Sequence, residues 1–436
     1  MLRKGCVLAL ALALLPALLP AQERPLVLRG AHIIPVGAAP IADGVLVVQN
    51  GRITAVGAAG SVSIPANAEV RDLAGKVVMP GLVDSHSHIG GGDGGDQSSP
   101  THGDVRILDA INVRDEGIRR ARAGGLTTVN IMPGSGLLMS GQTAYVKLRE
   151  ARTINDLLLC RDPLTEVCGG LKMANGTNPL GTAPRPQTRA RSAAIIRGLF
   201  VKAQEYREKL RAAGNDASKR PPRDLAMETL VEVLEGRRIV HHHTHRHDDI
   251  LTALRLAREF GYKVVLQHVS EGWKVADEIA AAGMPSSIIM IDAPGGKLET
   301  VDLSFENGAT LERANAKVGF HTDDYITDSR IFLRSAALAV RSGMSRDAAL
   351  RAVTLANAEM LELDDRVGSL AVGKDADFII LSGDPFSSYT RVEETWIEGK
   401  KVFDLTDPED RAFAVGGHRL RAGDSSDLHI DWEDYR

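Results

Sequence analysis

Between residues 26 and 80, apolar positions come in short alternating runs, VLRGAHIIP, GVLVVQNGRITAVG and GKVVMP, divided by Gly, Asn-Gly and Pro. Period-two alternation interrupted by turn residues predicts strands joined by tight turns, with little helix. A second block of the same texture, DADFIILSG at 375–383 and VEETWIEGKKVFDL at 392–405, lies near the other end. Neither end can cover its apolar face alone. Together they predict one small β-sandwich domain, built from residues 26–80 and 363–415, that clasps whatever folds between them.

The intervening stretch, 81–362, has a different rhythm. Apolar runs at Leu82–Asp84, Thr127–Met132, Gly170–Met173, Ile239–His243, Lys263–Gln267, Ser287–Ile291 and Val318–His321 predict strands. Between them, spacings of three and four predict helices over Asp109–Ala123, Ala193–Ala212, Leu225–Leu234, Asp248–Glu259, Trp273–Ala282 and Glu306–Asn315, with a helical tail from Arg346 to Leu361. Strand and helix repeated in this way indicate an α/β fold, a (β/α)8 TIM-like barrel. The third strand is the least distinct, with Tyr145–Leu148 and Leu157–Leu159 as its candidates.

With 436 residues the chain exceeds one small core, and 44% hydrophobic with 25% charged residues suits a folded protein rather than a disordered one. A net charge of −4 gives no case for a nucleic-acid partner. Residues 1–21 stand apart. Arg3 and Lys4 precede an apolar run from Val7 to Leu19, the layout of a signal peptide, so the mature chain is expected to be periplasmic or secreted. That run is too short for a permanent membrane anchor. In such a compartment Cys160 and Cys168 are placed to form a local disulfide; two buried thiols are the plainer alternative. Residues 416–436 read as a tail, and nothing in the pattern fixes an oligomeric state.

The chemistry lies at the strand ends. In DSHSH, His86 and His88 are two apart, so on an extended segment both imidazoles face one side and can reach one metal. In IVHHHTHRHDDI, His241 and His243 share a face and His242 takes the other; His243, nearest the mouth, is the expected ligand, with His245 next. KVVLQHVSE ends a further strand in His268, and VGFHTDDYITDS places Asp323 after the last. Together these residues are suited to hold one or two divalent ions, zinc first among those that imidazole and carboxylate accept. Asp323 would also take a proton from the attacking water and deliver it to a leaving nitrogen, while Asp324 reads as either its helper or, by preference, a solvated neighbour.

The order HSH, HTH, QH and TDD, framed by the split terminal sheet and the phrase DDRVGSLAVGKDADFIIL at 364–381, resembles the amidohydrolase superfamily, nearest its imidazolonepropionase-like and Xaa-Pro dipeptidase-related branches. The resemblance implies hydrolysis of C–N bonds in amides or cyclic amides by one or two metals on a (β/α)8 barrel. It also implies that Lys172, in GGLKMANGTNP, is carboxylated and bridges two ions. Such a modification turns a cation into an anionic oxygen ligand. A small amide, cyclic amide or dipeptide is the expected substrate, with an exported dipeptidase as the first alternative and a noncatalytic binding protein as the second. Tyr145 is a candidate carbonyl contact, Arg246 and His247 candidate contacts to a substrate carboxylate, and Arg330 either faces the pocket or holds Asp328. The Gly-rich segments at 90–99 and 294–296 are candidate loops at its rim. No phosphate cradle or dinucleotide fingerprint is present, so no organic cofactor is implied.

Overall fold

The computed structural model describes residues 24–92, 95–290, 297–324 and 326–416. The expected signal peptide, the tail beyond 416 and the Pro-Gly-Gly at 294–296 lie outside the described residues. The N-terminal runs become β1 (Leu26–Ile33), β2 (Ile41–Gln49), β3 (Arg52–Ala58), β4 (Glu69–Asp72) and β5 (Val77–Pro80). Between β2 and β3 the chain reverses through Asn50 and Gly51, both with positive φ (51° and 72°), a geometry that these two residue types tolerate best. Alternation then sorts the faces of β1: Leu26 and Leu28 pack in one apolar cluster with Leu46 and Phe378, while Val27 joins Val45 and Val47 on the other side.

The middle of the chain begins with β6 (Leu82–Ser87), α1 (Glu116–Ala123) and β7 (Leu126–Ile131). The helix expected from Asp109 starts only at Glu116. Asn112 and Asp115 accept hydrogen bonds from the amides of Arg114 and Gly117, which turns the backbone before the helix can form. The third strand is a near-continuous segment, β8 (Met139–Gln142) followed by β9 (Ala144–Lys147), and it runs against its neighbours: β9 is antiparallel to β7, and β8 to β10 (Leu171–Ala174). A parallel return needs a crossover of a dozen or more residues, and only residues 132–138 separate β7 from β8. Of the two sequence candidates, Tyr145–Leu148 overlaps β9, whereas Leu157 closes the short helix α2 (Ile154–Leu157). Close by, Cys160 and Cys168 are joined as a disulfide.

From β10 onward the expected alternation holds: α3 (Arg189–Ala213), α4 (Leu225–Leu234), β11 (Val240–Thr244), α5 (His247–Phe260), β12 (Val264–His268), α6 (Ala276–Ala282), β13 (Ser286–Ile289), α7 (Asn307–Arg313), β14 (Val318–His321). Strands β10 to β14 are parallel neighbours in one sheet, and β6, β7 and β9 form a second. The two sheets meet at both edges. At one, β8 continues into β9 through Thr143. At the other, the Asp323 amide donates to the His86 carbonyl at 2.9 Å. The side-chain amide of Asn357 straddles the same seam, donating to the carbonyls of Val83 (2.6 Å) and Phe320 (2.5 Å). This demands a glycine opposite, since a Cβ on Gly319 would fall 2.1 Å from Asn357 Oδ1.

After α8 (Leu333–Arg341), α9 (Arg346–Ala352) and α10 (Leu355–Met360), the chain returns as β15 (Phe378–Leu381), β16 (Val392–Ile397) and β17 (Lys400–Asp404), then ends its described part in α11 (Pro408–Val415). β15 pairs with β5, so strands from both ends share one eight-stranded sheet in the order β17-β16-β15-β5-β1-β2-β3, with β4 branching from β1. A buried ion cluster ties that sheet to the rest. Lys147 on β9 contacts Asp375, Asp377 (3.0 Å) and Glu398 (3.1 Å), and Arg366 also holds Asp375. Breaking such a cluster by removing one partner costs about 3–5 kcal/mol, because the remaining charges stay buried. No helix among the described residues is long and apolar enough to cross a membrane.

Candidate metal centre

Strand β6 delivers His86 and His88 to one point, as their spacing requires. His86 Nε2 lies 3.2 Å from His88 Nε2, and Asp323 Oδ1 lies 3.2 Å from the first and 3.0 Å from the second. Lys172 Nζ, fully buried on β10, reaches His86 Nε2 at 3.0 Å. On the adjacent strands His243, His245 and His268 bring a ring nitrogen each within 4.8 Å of one another, as do His86, His268 and His321. The structure therefore brings together all six expected ligands, His86, His88, Lys172, His243, His268 and Asp323, around one end of the parallel strands. His88 and Asp323 keep partial access to solvent, with 23% and 18% of their side chains exposed, so the site opens on their side.

Hydrogen bonding decides which atoms are free. His88 Nδ1 sits 2.8 Å from the Met132 carbonyl, which can only accept, so it carries the proton and Nε2 is left as a lone pair in the neutral ring. His86 Nδ1 faces Gln267 Oε1 at 3.3 Å, while Gln267 Nε2 lies 3.1 Å from His241 Nδ1. With that orientation His86 Nε2 is a lone pair too. Two imidazole lone pairs and a carboxylate oxygen thus converge, an arrangement that is repulsive unless a cation stands among them. Neither ring nitrogen of His243 has a hydrogen-bond partner, nor does Nε2 of His268, although all three atoms are buried. Unpaired buried nitrogens of this kind fit a divalent ion well.

Burial keeps the rings neutral and ready to ligate. It pushes His86, His243 and His268 well below their ordinary value and takes His245 and His321 down to about 3. It also lowers Lys172 to about 7, with the Asp323 charge working against it. For Asp323, burial opposes ionisation, and only positive charge facing it across the site, on the His86 and His268 rings or on a cation held among them, keeps the carboxyl well below the usual range. Behind the ligands, Asp84 accepts from the amides of His86 (3.1 Å) and Thr322 (3.2 Å) and from the Thr322 hydroxyl, locking β6 to the turn that carries Asp323. Burial raises Asp84 to about 7.

Two of the expected ligands depart from strand geometry. His268 (φ 71°) and Asp323 (φ 49°) both adopt the left-handed region. Gln267 and His268 are consecutive and would face opposite ways on a regular strand; the positive φ lets both turn toward the site.

The expected substrate contacts each have a partner within the chain. The Tyr145 hydroxyl is 2.8 Å from His241 Nε2, and its ring packs near Val83, Leu361 and Val367, one strand layer below His243. Arg246 forks onto Asp248, and His247 Nδ1 pairs with Glu271 Oε2 at 2.6 Å. Arg330 holds Asp328, the second of its two sequence readings. Asp324, expected to be solvated, is buried, and burial pushes it up to about 6. Sequence reasoning passed over Gln267, Asp84 and His321. The signals were there: a polar residue within the apolar VVLQ run, an acid two places before His86, and a His-x-Asp spacing that matches His-x-His.

Comparison with known proteins shows the family. A family model described as Amidohydrolase family matches residues 188–403. An amidohydrolase of known structure from Thermotoga maritima MSB8 is 34% identical, superposes with a TM-score of 0.81, and the match covers 87% of this chain and 100% of that one. The amidohydrolase tasK of Hapsidospora irregularis is 25% identical over 85% of this chain, which spans only 41% of that protein's length. An imidazolonepropionase from Micrococcus luteus is 24% identical over 78% of this chain and 88% of its own.

Proposed function

Because the chain belongs to the amidohydrolase superfamily of hydrolases, we propose that it is a metal-dependent hydrolase of the C–N bond in a small amide or cyclic amide, built on a (β/α)8-type barrel with a β domain from both chain ends. The observation that carries this reading is the convergence of His86 Nε2, His88 Nε2 and Asp323 Oδ1, with the N–H groups of the two rings committed to Gln267 and Met132. Likeness to a protein named imidazolonepropionase makes a cyclic amide the first class to try.

His86, His88, His243, His268, Asp323 and a carboxylated Lys172 would hold one or two divalent ions, zinc being the first choice. When bound there, the ions would supply Lewis acidity toward a carbonyl oxygen and make an attacking water more acidic. The chain's own residues do the rest. Asp323 Oδ, ionised and open to solvent, accepts a proton from the attacking water as the new C–O bond forms, then gives it to the nitrogen as the C–N bond breaks. Lys172 enters as a neutral amine: carbon dioxide adds to Nζ, an N–C bond forms and one proton is released. The change matters because an ammonium 3.0 Å from His86 Nε2 repels a divalent ion, whereas a carbamate attracts one.

The test is a screen of cyclic amides, N-acyl amino acids and dipeptides against protein of measured metal content. One class should turn over, stop on chelation and resume when a divalent ion is restored. Full metal loading with no turnover in any class would replace hydrolysis by the binding-protein reading, and turnover confined to Xaa-Pro dipeptides would select the dipeptidase. Export is part of the proposal, supported by the apolar run at Val7–Leu19 and by the Cys160–Cys168 disulfide. Expressed at full length, the chain should be recovered from the periplasm or medium in shortened form; uncleaved protein found only in the cytosol rejects export.

A further inference from the structure

Across the floor of the metal centre runs a hydrogen-bonded line that draws on four strands. Ser85 Oγ on β6 lies 2.7 Å from Ser287 Oγ on β13. Ser287 Oγ lies 2.8 Å from His321 Nδ1 on β14, and His321 Nε2 lies 3.1 Å from His268 Nδ1 on β12. All four side chains are buried. Water is thus kept from substituting for any link, and the direction of the line is a choice between two chemical states.

If the protons point from β12 toward β6, His268 Nδ1–H donates to His321 Nε2, His321 Nδ1–H donates to Ser287, and Ser287 donates to Ser85. His268 Nε2 is then a bare lone pair. With the reverse direction, His321 Nε2–H donates to His268 Nδ1, and His268 Nε2 carries a hydrogen into a site where it has no acceptor. Only the first direction leaves His268 able to ligate through its unpartnered nitrogen.

We infer that His321 is a positioning residue that fixes the metal-binding tautomer of His268, with Ser287 and Ser85 anchoring it from behind. This rests on the metal-centre reading above. His321 serves the other half of the site as well, since its ring stacks on His86 with centroids 4.8 Å apart and planes 20° apart. A single side chain therefore backs one ligand from each group. Partners of this sort typically alter metal affinity by roughly 10–100-fold.

The experiment compares zinc affinity, by chelator competition on the full chain, in wild type, His321→Phe, His321→Gln and Ser287→Ala, with cobalt(II) spectra at saturation. His321→Phe keeps the stacked ring but has no acceptor, so zinc should bind roughly 10–100-fold more weakly. His321→Gln restores an acceptor and should recover most of the loss, a rescue that a packing role would not give. Saturated cobalt spectra should match wild type, because no ligand is removed. Unchanged zinc affinity in His321→Phe overturns the inference, as does a cobalt spectrum showing a lost nitrogen, which would make His321 itself a ligand. Should His321→Phe not fold, Ser287→Ala decides, with weakened affinity supporting the relay and wild-type affinity overturning it. A wild type that takes up no divalent ion removes the metal centre and the relay with it, whereas normal uptake in both wild type and His321→Phe removes the relay alone.

Discussion

Asp323→Asn should turn substrate over roughly 10²–10⁴-fold more slowly than wild type at saturating metal, the usual contribution of a general base. The amide keeps the shape of the side chain but can neither accept the proton of the attacking water nor present an anionic oxygen. Backbone strain does not confound the comparison, since Asp323 has φ 49° and asparagine tolerates that region as well as aspartate. The histidines are poor substitutes for the lost base: His88 Nδ1 is committed to the Met132 carbonyl, and Nε2 of both His86 and His88 faces the cation position. Part of any loss will come from weaker metal binding, so the metal content of the same sample must be measured and the rate taken after reloading. If the reloaded variant turns over like wild type with its acid limb unmoved, Asp323 is not the base. Asp324, one residue on and buried, would be the next to test.

Lys172→Ala should lower bound metal from about two ions per chain to one or fewer. Activity should fall by at least the roughly 10–100-fold that follows loss of a mere outer partner of a metal ligand. The reason is positional. Lys172 Nζ is the nearest non-imidazole donor to His86 Nε2, it is wholly buried, and its other close contact is the sulfur of Met132 at 3.1 Å. A buried lysine without an acid at hydrogen-bonding distance is poorly stabilised as an ammonium, and burial lowers it to about 7. A substantial share is therefore the neutral amine at neutral pH, the form that takes up carbon dioxide. Reloading metal-depleted wild type with bicarbonate present should restore more activity than reloading in its absence, and Lys172→Ala should show no such difference. Lys172→Met, which holds the volume, separates packing loss from metal loss. Retention of both ions and near-normal turnover in Lys172→Met would reject Lys172 as the bridge, whereas one ion per chain in the wild type would mean a single-metal site, with His268 free to polarise the substrate carbonyl.

Of the six expected ligands, His86, His88 and His243 could be placed at one end of the strands by local rules, while Lys172 was named through the family resemblance. Two histidines at spacing two share a face of an extended segment, so DSHSH needed only the judgement that it ends a strand. The alternation of HHHTH likewise separated His242, which lines a small cavity between the strands and helices with Ile196 and Leu256, from the inward His241 and His243. Parallel β10 to β14 followed from apolar runs separated by helix-period segments, and the shared sheet of both chain ends from their matching β texture.

Other features were settled only when strands far apart in sequence came into register. Tyr145, Arg246, His247 and Arg330 have suitable chemistry for substrate, and in the fold they pair with His241, Asp248, Glu271 and Asp328, partners that sequence order does not reveal. The third strand turned antiparallel because the residues after β7 are too few for a crossover, a limit visible only once β8 is known to begin at Met139. His268 and Asp323 face the site through positive φ values that no periodicity predicts. Gln267, Asp84 and His321 acquire their roles from partners on other strands, since tautomers and lone-pair directions are fixed by the hydrogen bond on the far side of each ring. Local pattern thus determined which side chains this protein brings to the mouth of its strands, and tertiary register decided which of their atoms remain free to act, because a free lone pair is a property of a whole hydrogen-bonded network rather than of a residue.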